Sequence, residues 1–399
     1  MSREEVKQEV LGIPNSNILL ELPTSFGKSK CGLDIMASRN PKGRILIVVP
    51  RLVLIENWKE EIQKWGYERY LPQVEFSTYV SLPKRADKYD FIIFDEVQHL
   101  SERCQDSLGD FTINNAVLLS ATVTNYFKQD LKLVFRDLYC YKVSMKEAIR
   151  EEVLPDPKVF LIPLKLDWQH TGYTIVKNPK GPSPIIKVDY LKRWEVLRAK
   201  KKNRIEISCS QTEYYKDLDE SISYWKMKTF RTGSASIRNR WLHLCNIRLR
   251  WLSEEKDTHI KRLLNILSKE RTLTFCNSIE QTEELGKYTI NSKDKKESLK
   301  NLDKFNRGEI NHITACDMLN EGMNLVNCRV GIYANLHSSE IITKQRLGRI
   351  LRHESPIIII PYFEGTREEE IMKKMLEDYN PKLVEKITLN DLKIWSQSV

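Results

Sequence analysis

The chain contains the stretch Pro23-Thr24-Ser25-Phe26-Gly27-Lys28-Ser29 directly after an apolar run at residues 18–22 (ILLEL). We call residues 23–29 the phosphate loop, because a loop between a strand and a helix points backbone N–H groups and the helix dipole at phosphate. Lys28 would reach the β- and γ-phosphates, and Ser29 would ligate Mg²⁺. Leu22 stands where the strict G-x-x-x-x-G-K-[ST] pattern begins with glycine, so an ordinary strand–turn–helix stays open as an alternative.

A pair of carboxylates, Asp95 and Glu96, follows a second apolar run at residues 91–94 (FIIF). We call residues 95–99 (DEVQH) the acidic segment. A metal-positioning carboxylate belongs directly after such a strand, which is the position of Asp95, and Glu96 is then placed to orient and activate an attacking water. Two carboxylates at a strand end can also be merely solvated. The functional interpretation of this pair therefore depends on the phosphate loop earlier in the chain.

Two arginines at helical spacing lie about 250 residues beyond the acidic segment, in residues 345–352 (QRLGRILR), which we call the arginine segment. Arg349 and Arg352 are three positions apart and would share one helix face, whereas Arg346 would lie off that face and hold the helix. Phosphoryl transfer needs positive charge near the γ-phosphate. A basic surface helix is the alternative. With all three segments in one site, a nucleotide would lie in a cleft between two domains.

Short apolar runs alternate with amphipathic stretches over two parts of the chain, which predicts parallel sheets covered by helices on both faces. The site residues follow such runs, and the carboxyl ends of parallel strands are where these folds bind ligands. The fold class is therefore α/β. The runs are residues 18–22, 44–50, 74–79, 91–94 and 116–120 in the first part, and 271–276, 312–316, 330–333 and 356–360 in the second.

The 399 residues are enough for two ordinary domains. We expect a nucleotide-binding domain at residues 1–152 and a second α/β domain at residues 256–375. Between them, residues 153–255 would form a basic connecting region with a strand at residues 158–166 and long helices. Residues 376–399 would form a helical tail.

Composition excludes several classes of protein. The chain is 41% hydrophobic and 30% charged, and no apolar run approaches the roughly 20 residues that a membrane span needs. The charged start, residues 1–5, lacks the apolar core of a signal peptide, so we expect a cytoplasmic protein without a membrane partner. Eight scattered cysteines without a C-x-x-C pair indicate reduced structural thiols, not a zinc site or a disulfide framework.

Positive charge is concentrated in one region. The formal net charge of the chain is +10, and residues 187–262 contain 19 Lys/Arg against 10 Asp/Glu. A local basic excess predicts contact with a polyanion, although a solvated helical face is the alternative. We expect residues 192–204 to be an exposed arm. We expect residues 241–251 (WLHLCNIRLRW) to pack against the second domain, with arginine stems covering apolar surface.

Taken together, the three segments resemble superfamily 2 helicases and translocases of the DEAD/DEAH-like kind, which have two RecA-like domains and an ATP site in the interdomain cleft. The phosphate loop is similar to the family form P-T-G-S-G-K-T, with Ser25 and Phe26 in place of glycine and serine. The acidic segment resembles motif II and the arginine segment resembles motif VI. The resemblance implies an ATP-binding role for the residues of the phosphate loop and Mg²⁺ binding by Ser29 and Asp95. It implies catalytic roles for the set Lys28, Glu96, Gln345, Arg349 and Arg352.

Two further segments belong to the same resemblance. Ser120-Ala121-Thr122 resembles motif III, which implies that Ser120 and Thr122 couple hydrolysis to the nucleic-acid side. Residues 319–325 (LNEGMNL) resemble motif V, which adds Gly322 to the ATP site, with Asn324 where aspartate is common. The glutamine that reads adenine in the family has no clear counterpart, and Gln8 near Arg3 is a possible substitute.

The nucleic-acid motifs of the family also have counterparts. Residues 49–51 (VPR) are similar to motif Ia, residues 77–82 (STYVSL) to the T-Y-x-S-L element, and residues 275–278 (FCNS) to motif IV. The resemblance implies that one strand is gripped mostly without base reading. The implied contacts are Arg51, Thr78, Tyr79 and Asn277. Tyr79 has two interpretations, a stacking contact or a core side chain.

The resemblance thus implies an ATP-dependent helicase or translocase that uses ATP and Mg²⁺. Its substrate would be single-stranded or branched DNA, and the sequence style is similar to phage-encoded helicases of replication, recombination and repair. We expect a monomer, with replication or recombination proteins as possible partners. Two alternatives stay open: a non-motor NTP-binding scaffold or switch, and the translocating motor of a larger restriction or remodelling complex.

Overall fold

The computed structural model describes residues 2–170, 172–177, 185–186, 205–316 and 325–398. These residues form two open parallel β-sheets flanked by helices, with a small antiparallel sheet and a helical hairpin between them. The α/β class with two RecA-like units that the sequence predicts is therefore confirmed.

The first sheet has six strands in the order β3-β2-β4-β5-β1-β6, and every neighbouring pair is parallel. Five strands coincide with the five predicted apolar runs. The sixth, β6, has no apolar run because it is a half-exposed edge strand. The strands are β1 (Asn17–Glu21), β2 (Ile45–Val49), β3 (Val74–Thr78), β4 (Lys88–Phe94), β5 (Thr112–Ser120) and β6 (Leu138–Lys142).

Six helices cover this first lobe. Buried residues of four of them pack on one face of the sheet, and those of the other two pack on the opposite face. Capping boxes begin the first helix at Ser2 and the last at Ser144. The first face has α1 (Arg3–Leu11), α2 (Lys28–Arg39), α3 (Val53–Lys64) and α6 (Met145–Arg150), and the second has α4 (Glu102–Ser107) and α5 (Asn125–Val134).

The connecting region, residues 153–255, supplies a strand of the second sheet as well as elements of its own. Its first strand, β7 (Lys158–Leu164), is almost wholly buried and pairs in parallel with a strand of the second sheet. A three-stranded antiparallel sheet and two long antiparallel helices follow. These elements are β8 (Tyr173–Lys177), β9 (Ile185–Ile186), β10 (Ile205–Cys209), α7 (Gln211–Thr232) and α8 (Ala235–Glu254).

The second sheet has seven strands in the order β12-β13-β11-β14-β15-β7-β16, again with parallel pairs. It extends beyond the expected residues 256–375, because β7 precedes that range and β16 follows it. The expected helical tail thus contains a strand before its last helix. The remaining strands are β11 (Thr272–Phe275), β12 (Thr289–Ile290), β13 (His312–Ala315), β14 (Val330–Tyr333), β15 (Ile357–Phe363) and β16 (Val384–Lys386).

Helices of the second lobe lie on both faces of this sheet. They are α9 (Asp257–Ile266), α10 (Ile279–Leu285), α11 (Lys295–Asn306), α12 (Glu340–Ile350), α13 (Arg367–Met375) and α14 (Leu389–Ser398). One continuous cluster of buried apolar side chains includes residues of both lobes. Among the residues described, no helix is long and apolar enough to cross a membrane. All eight cysteines are free thiols in this structure.

Candidate active site

The phosphate loop joins β1 to α2 in an unusual backbone conformation. Gly27 has φ 106° and Ser25 has φ 68°, so Ser25 adopts the left-handed region at a position where the resembled family has glycine. That conformation is strained for a residue with a Cβ. Phe26 is 2% exposed and packs in the apolar core, and Arg3 Nη2 donates to the carbonyl oxygen of Ser25 at 3.2 Å. The core and α1 therefore hold the loop in place.

Lys28 and Glu96 bring the phosphate loop and the acidic segment together. Lys28 Nζ lies 3.7 Å from Glu96 Oε1 and also donates to the carbonyl oxygen of Leu22 at 3.5 Å. Ser29 is the second residue of α2. Glu96 itself has φ 48°, which turns the chain sharply after β4. The candidate base and the candidate phosphate-binding lysine thus share one site.

Asp95 is fixed by two aromatic residues. Trp58 Nε1 donates to Asp95 Oδ2 at 2.9 Å, and the Tyr79 hydroxyl donates to the Asp95 carbonyl oxygen at 2.7 Å. Burial, together with the neighbouring Glu96 carboxylate, raises the pKa of Asp95 to about 6, while the hydrogen bond from Trp58 acts in the opposite direction. The buried Asp95 carboxylate is therefore less easily ionised than a free aspartate, and a cation bound beside it would favour its charged form.

A chain of hydrogen bonds joins Glu96 to residues 120–122, which we call the coupling segment. Gln98 Nε2 donates to Glu96 Oε2 at 2.7 Å, and Ser120 Oγ donates to Gln98 Oε1 at 2.7 Å. The backbone N–H of Thr122 in turn donates to Ser120 Oγ at 3.2 Å. A movement of the coupling segment would therefore shift the candidate base, Glu96, through the side chain of Gln98.

The arginine segment of the second lobe touches the phosphate loop of the first. Ser25 Oγ donates to the carbonyl oxygen of Gly348 at 2.5 Å, and Arg352 Nε donates to Ser25 Oγ at 3.4 Å. The approach at Gly348 is so close that a Cβ there would lie 1.7 Å from Thr24 Oγ1. The sequence expectation that these two distant segments meet is thus matched by direct contacts.

The side chains of the arginine segment differ in burial. Gln345 is 4% exposed, and Arg346 is 2% exposed, donates to the Asn335 carbonyl oxygen at 2.9 Å and lies over the ring of Phe275. Arg346 therefore holds the helix, as its position off the shared face predicts. Arg349 is half-buried in the last turn of α12.

The expectation that both candidate arginines lie on one helix face needs a correction. The α12 helix ends at Ile350, so Arg352 lies in the turn beyond it, and its side chain is exposed. The chain turns away there because residues 353–356 lead directly into the buried strand β15. Arg352 still reaches the phosphate loop from that turn.

A cavity of about 280 Å³ lies beside the phosphate loop, at the carboxyl ends of β1, β5 and β6. Pro23 and Thr24 line it together with Thr122 of the coupling segment and Lys142 after β6. The phosphate loop and the coupling segment therefore border one space.

The candidate nucleic-acid contacts lie at the same edges of the two sheets. Thr78 ends β3 beside the end of β2, where Arg51 is exposed, and Asn277 follows β11 in the second lobe. Tyr79 is different, because its side chain is only 4% exposed and its hydroxyl is bonded to Asp95. A stacking role for Tyr79 is therefore wrong, and its second interpretation, a core side chain, holds.

Some predicted residues lie outside the described part of the chain. Gly322 and Asn324 of the motif V resemblance are among them, as is the expected arm at residues 192–204. Conversely, Trp58 and Gln98 contact site carboxylates, and neither belongs to the site residues that the sequence predicts. Gln98 lies inside the acidic segment, two residues from Glu96, and that proximity could have suggested a contact with the site. Trp58 has only the pattern of a buried residue of α3, which suggests no such contact.

Comparison with known proteins agrees with this architecture. Residues 255–354 match the model of the helicase conserved C-terminal domain. The DNA 3'-5' translocase XPB2 of Sulfurisphaera tokodaii is 24% identical over 383 residues, which cover 90% of this chain and 80% of that protein. Solved structures with the same fold include the following two. Dbp5 of S. cerevisiae, bound to RNA and ADP BeF3, has a TM-score of 0.63 at 12% identity, covering 99% of this chain and 91% of that one.

The second structure is the Hef helicase domain of Pyrococcus furiosus, with a TM-score of 0.53 at 15% identity, covering 93% of this chain and 97% of that one. The fold and the matched segment define a two-lobed protein with two RecA-like domains. Within that class, the chain is similar to helicases over its matched segment and to a DNA translocase over 90% of its length, in agreement with the resemblance to superfamily 2.

Proposed function

We propose that this protein is an ATP-driven helicase or translocase that acts on DNA. The observation that carries the proposal is the meeting of three distant segments: Lys28 lies 3.7 Å from Glu96, and Ser25 bonds to Gly348 of the other lobe. A nucleotide bound at this point would contact both lobes. Binding and hydrolysis would therefore change how the lobes are held together, which is what a motor needs.

In this mechanism the phosphate loop and Lys28 bind the nucleotide phosphates, because its N–H groups and the start of α2 attract negative charge. Glu96 orients and activates the attacking water, and the amide of Gln98 holds its carboxylate at 2.7 Å. Arg349 and Arg352 place positive charge where the transferred phosphoryl group develops negative charge. Gln345, buried at the start of the arginine segment, positions that segment.

Mg²⁺ fits the residues of this site. Asp95 and Glu96 are adjacent carboxylates with Lys28 as a nearby cation, and burial beside Glu96 raises the pKa of Asp95 to about 6. A divalent cation would supply positive charge that this donor set lacks, and oxygen ligands are those that Mg²⁺ prefers. Ser29 and Asp95 would hold it, and it would neutralise phosphate charge.

The nucleic-acid strand would run along the carboxyl edges of both sheets. Arg51 and Thr78 would contact its phosphates from the first lobe, and Asn277 from the second. The translocase from Sulfurisphaera tokodaii is described as acting on DNA in the 3'-5' direction, and we extend that substrate and that direction to this chain. Hydrolysis would reach the strand through Ser120 and Thr122, since both are linked to Glu96 through Gln98.

Finer parts of the proposal rest on the sequence. We propose a monomer that binds single-stranded or branched DNA and works in phage-type replication, recombination or repair, in the cytoplasm of its host. We also keep the expected division of the chain, with residues 1–152 as the first lobe and residues 256–375 as the main body of the second. A restriction or remodelling complex that uses this chain as its motor is the second candidate, since the same two lobes would drive it.

The test is ATP hydrolysis measured with single-stranded, duplex, forked and four-way DNA, with RNA alongside. Lys28→Ala and Glu96→Gln should abolish DNA-stimulated turnover, because they remove the phosphate contact and the base. Lys132→Ala and Asp106→Asn, which change exposed charges on α5 and α4, are matched controls and should turn over normally. Wild-type turnover in either site variant would contradict a motor and favour a scaffold or switch.

A further inference from the structure

The helical hairpin formed by α7 and α8 projects from the second lobe. Its root is anchored by buried side chains, which end at Ile222 in α7 and resume at Leu244 in α8. Beyond these points Trp225 and Trp241 still pack against the same core, and the six or seven residues of each helix that follow extend about 10 Å past it. We call residues 223–243 the hairpin tip. Gly233 makes the turn between the helices with φ 63°.

The outer part of the hairpin carries positive charge and has no carboxylate among its own residues. Residues 221–253 contain seven Lys/Arg and no Asp or Glu. The two arginines nearest the root are paired with acidic residues outside this stretch, Arg248 with Asp219 and Arg250 with Glu254. The other five lie in the hairpin tip and are Lys226, Lys228, Arg231, Arg238 and Arg240. Such a one-sided charge attracts a polyanion.

Exposed apolar side chains lie among these cations. Phe230 is 74% exposed, Met227 48% and Leu242 42%. The ring of Phe230 lies 6.2 Å from that of Trp241 on the facing helix, which supports it from one side. An exposed aromatic ring beside lysines and arginines suits stacking on a nucleic-acid base, because a base presents an apolar face next to phosphate charge.

The root of the hairpin is bonded to a candidate nucleic-acid contact. Ser253 Oγ donates to Gln281 Oε1 at 2.9 Å, and Gln281 Nε2 donates to the Ser253 carbonyl oxygen at 2.9 Å. The same Oε1 accepts from the backbone N–H of Asn277 at 2.9 Å. The hairpin therefore rises from the edge of the second lobe where the strand is proposed to run.

We propose that the hairpin tip is a wedge that contacts the junction of a branched or forked DNA, with Phe230 stacked on a base and the five cations against phosphates. The proposal rests on the proposed DNA motor and adds the element that meets the junction. An acidic protein partner would satisfy the cations but would give no reason for an aromatic ring at the outer end of the hairpin.

Phe230→Ala tests the stacking contact, with Phe230→Tyr as the variant that keeps a ring. We expect Phe230→Ala to weaken binding to a forked DNA by about 5- to 100-fold, the range expected when one base is no longer stacked. A 2-aminopurine base at the junction should change its fluorescence on binding of the wild type and of Phe230→Tyr, but not of Phe230→Ala. Ile394→Ala, which removes an exposed apolar side chain on α14, is the matched control.

Arg231→Gln with Arg238→Gln tests the binding of phosphates. The slope of log affinity against log salt should fall by about 0.9 for each phosphate that the variant no longer neutralises. The control pair Lys382→Gln with Lys386→Gln removes two exposed charges elsewhere and should leave the slope unchanged. Unchanged fork binding, fluorescence and slope in the tip variants would overturn the wedge.

The wedge and the motor can fail separately. If the wild type shows no DNA-stimulated ATP hydrolysis, the proposed function fails whatever the tip does. If the wild type is stimulated and Glu96→Gln is inactive, but the tip variants bind forks normally and lose binding to an acidic peptide such as polyglutamate, the motor stands and the wedge is refuted.

Discussion

A methyl group added at Gly348 has no room between the two lobes. The Cβ of an alanine there would lie 1.7 Å from Thr24 Oγ1 and 2.2 Å from Thr24 Cβ. Rotation of the threonine can move its hydroxyl away but cannot move its Cβ. Since carbon atoms pack at about 3.5 Å, the arginine segment and the phosphate loop must separate by at least about 1.3 Å in Gly348→Ala.

That separation should reduce turnover far more than nucleotide binding. Arg349 and Arg352 move with Gly348, and a misplacement of about 1 Å can cost about 100-fold in rate, which equals about 2.7 kcal/mol of transition-state stabilisation. We expect DNA-stimulated kcat to fall by about that factor. The nucleotide dissociation constant should change little, because Lys28 and Ser29 belong to the first lobe.

The assay is steady-state ATP hydrolysis at saturating ATP and DNA, with binding of a fluorescent nucleotide measured in parallel. Gly109→Ala is the matched control, since nothing lies within 4 Å of a Cβ at that position. Thr24→Gly should rescue Gly348→Ala, because the nearest remaining atom is then Thr24 Cα at 3.3 Å. A double-mutant cycle separates this rescue from any effect of Thr24→Gly alone. Wild-type kcat in Gly348→Ala, or no coupling in the cycle, would refute the reasoning.

Two other predictions concern buried groups. Tyr79→Phe should lower the free energy of unfolding by about 0.5–1.5 kcal/mol, because the Asp95 carbonyl oxygen loses its donor, and should leave DNA affinity unchanged; a large loss of affinity measured by anisotropy would restore a stacking role. Burial lowers the pKa of His312 from 6.5 to about 4. Below pH 6.5 the unfolded chain takes up a proton at this histidine while the folded protein does not, so the free energy of unfolding is highest above pH 6.5 and falls as pH falls towards 4. Urea unfolding should therefore show the wild type losing about 2 kcal/mol more than His312→Asn between pH 7 and pH 5, and equal losses would contradict the pKa.

The sequence predicts most strands of the two sheets, but it misses β6, β12 and β16, and it does not give all of the strand partners. The run that forms β7 is apolar enough to predict a buried strand, and it is one. Its place beside β15, which lies almost 200 residues later, depends on long-range pairing that no local pattern encodes. The same holds for β16, a three-residue strand whose side chains are mostly exposed, so that it has no apolar signal.

For the site residues, too, patterns within one helix or strand can be read from the sequence, but contacts between distant elements cannot. Alternation along β3 would not have predicted that Tyr79 is buried, because its side of the strand also carries the polar residues Glu75 and Ser77. Its burial depends on where the end of β4 lies, since its hydroxyl is bonded to the Asp95 carbonyl oxygen. Helical spacing correctly predicts that Trp58 faces the core of the first lobe. Its bond to Asp95 could not be predicted, because it depends on where α3 lies against the end of β4.

At Ser25 the backbone conformation favours glycine, whereas the contact between the lobes needs the serine hydroxyl. Its left-handed backbone costs about 1–2 kcal/mol that glycine would avoid. Its hydroxyl offsets that cost by bonding to Gly348 and Arg352, at about 0.5–1.5 kcal/mol for each bond. Glycine at this position would relax the loop but remove a direct connection between the two halves of the site.

Ser25→Gly and Ser25→Ala therefore separate strain from contact. Both remove the hydroxyl, whereas only Ser25→Gly also relieves the backbone. If the hydroxyl holds the lobes together, small-angle scattering of the nucleotide-free protein should show the same larger radius of gyration for both variants, although Ser25→Gly is the more stable to urea. An increase in Ser25→Gly alone would mean that loop strain, not the contact with the arginine segment, sets the distance between the lobes.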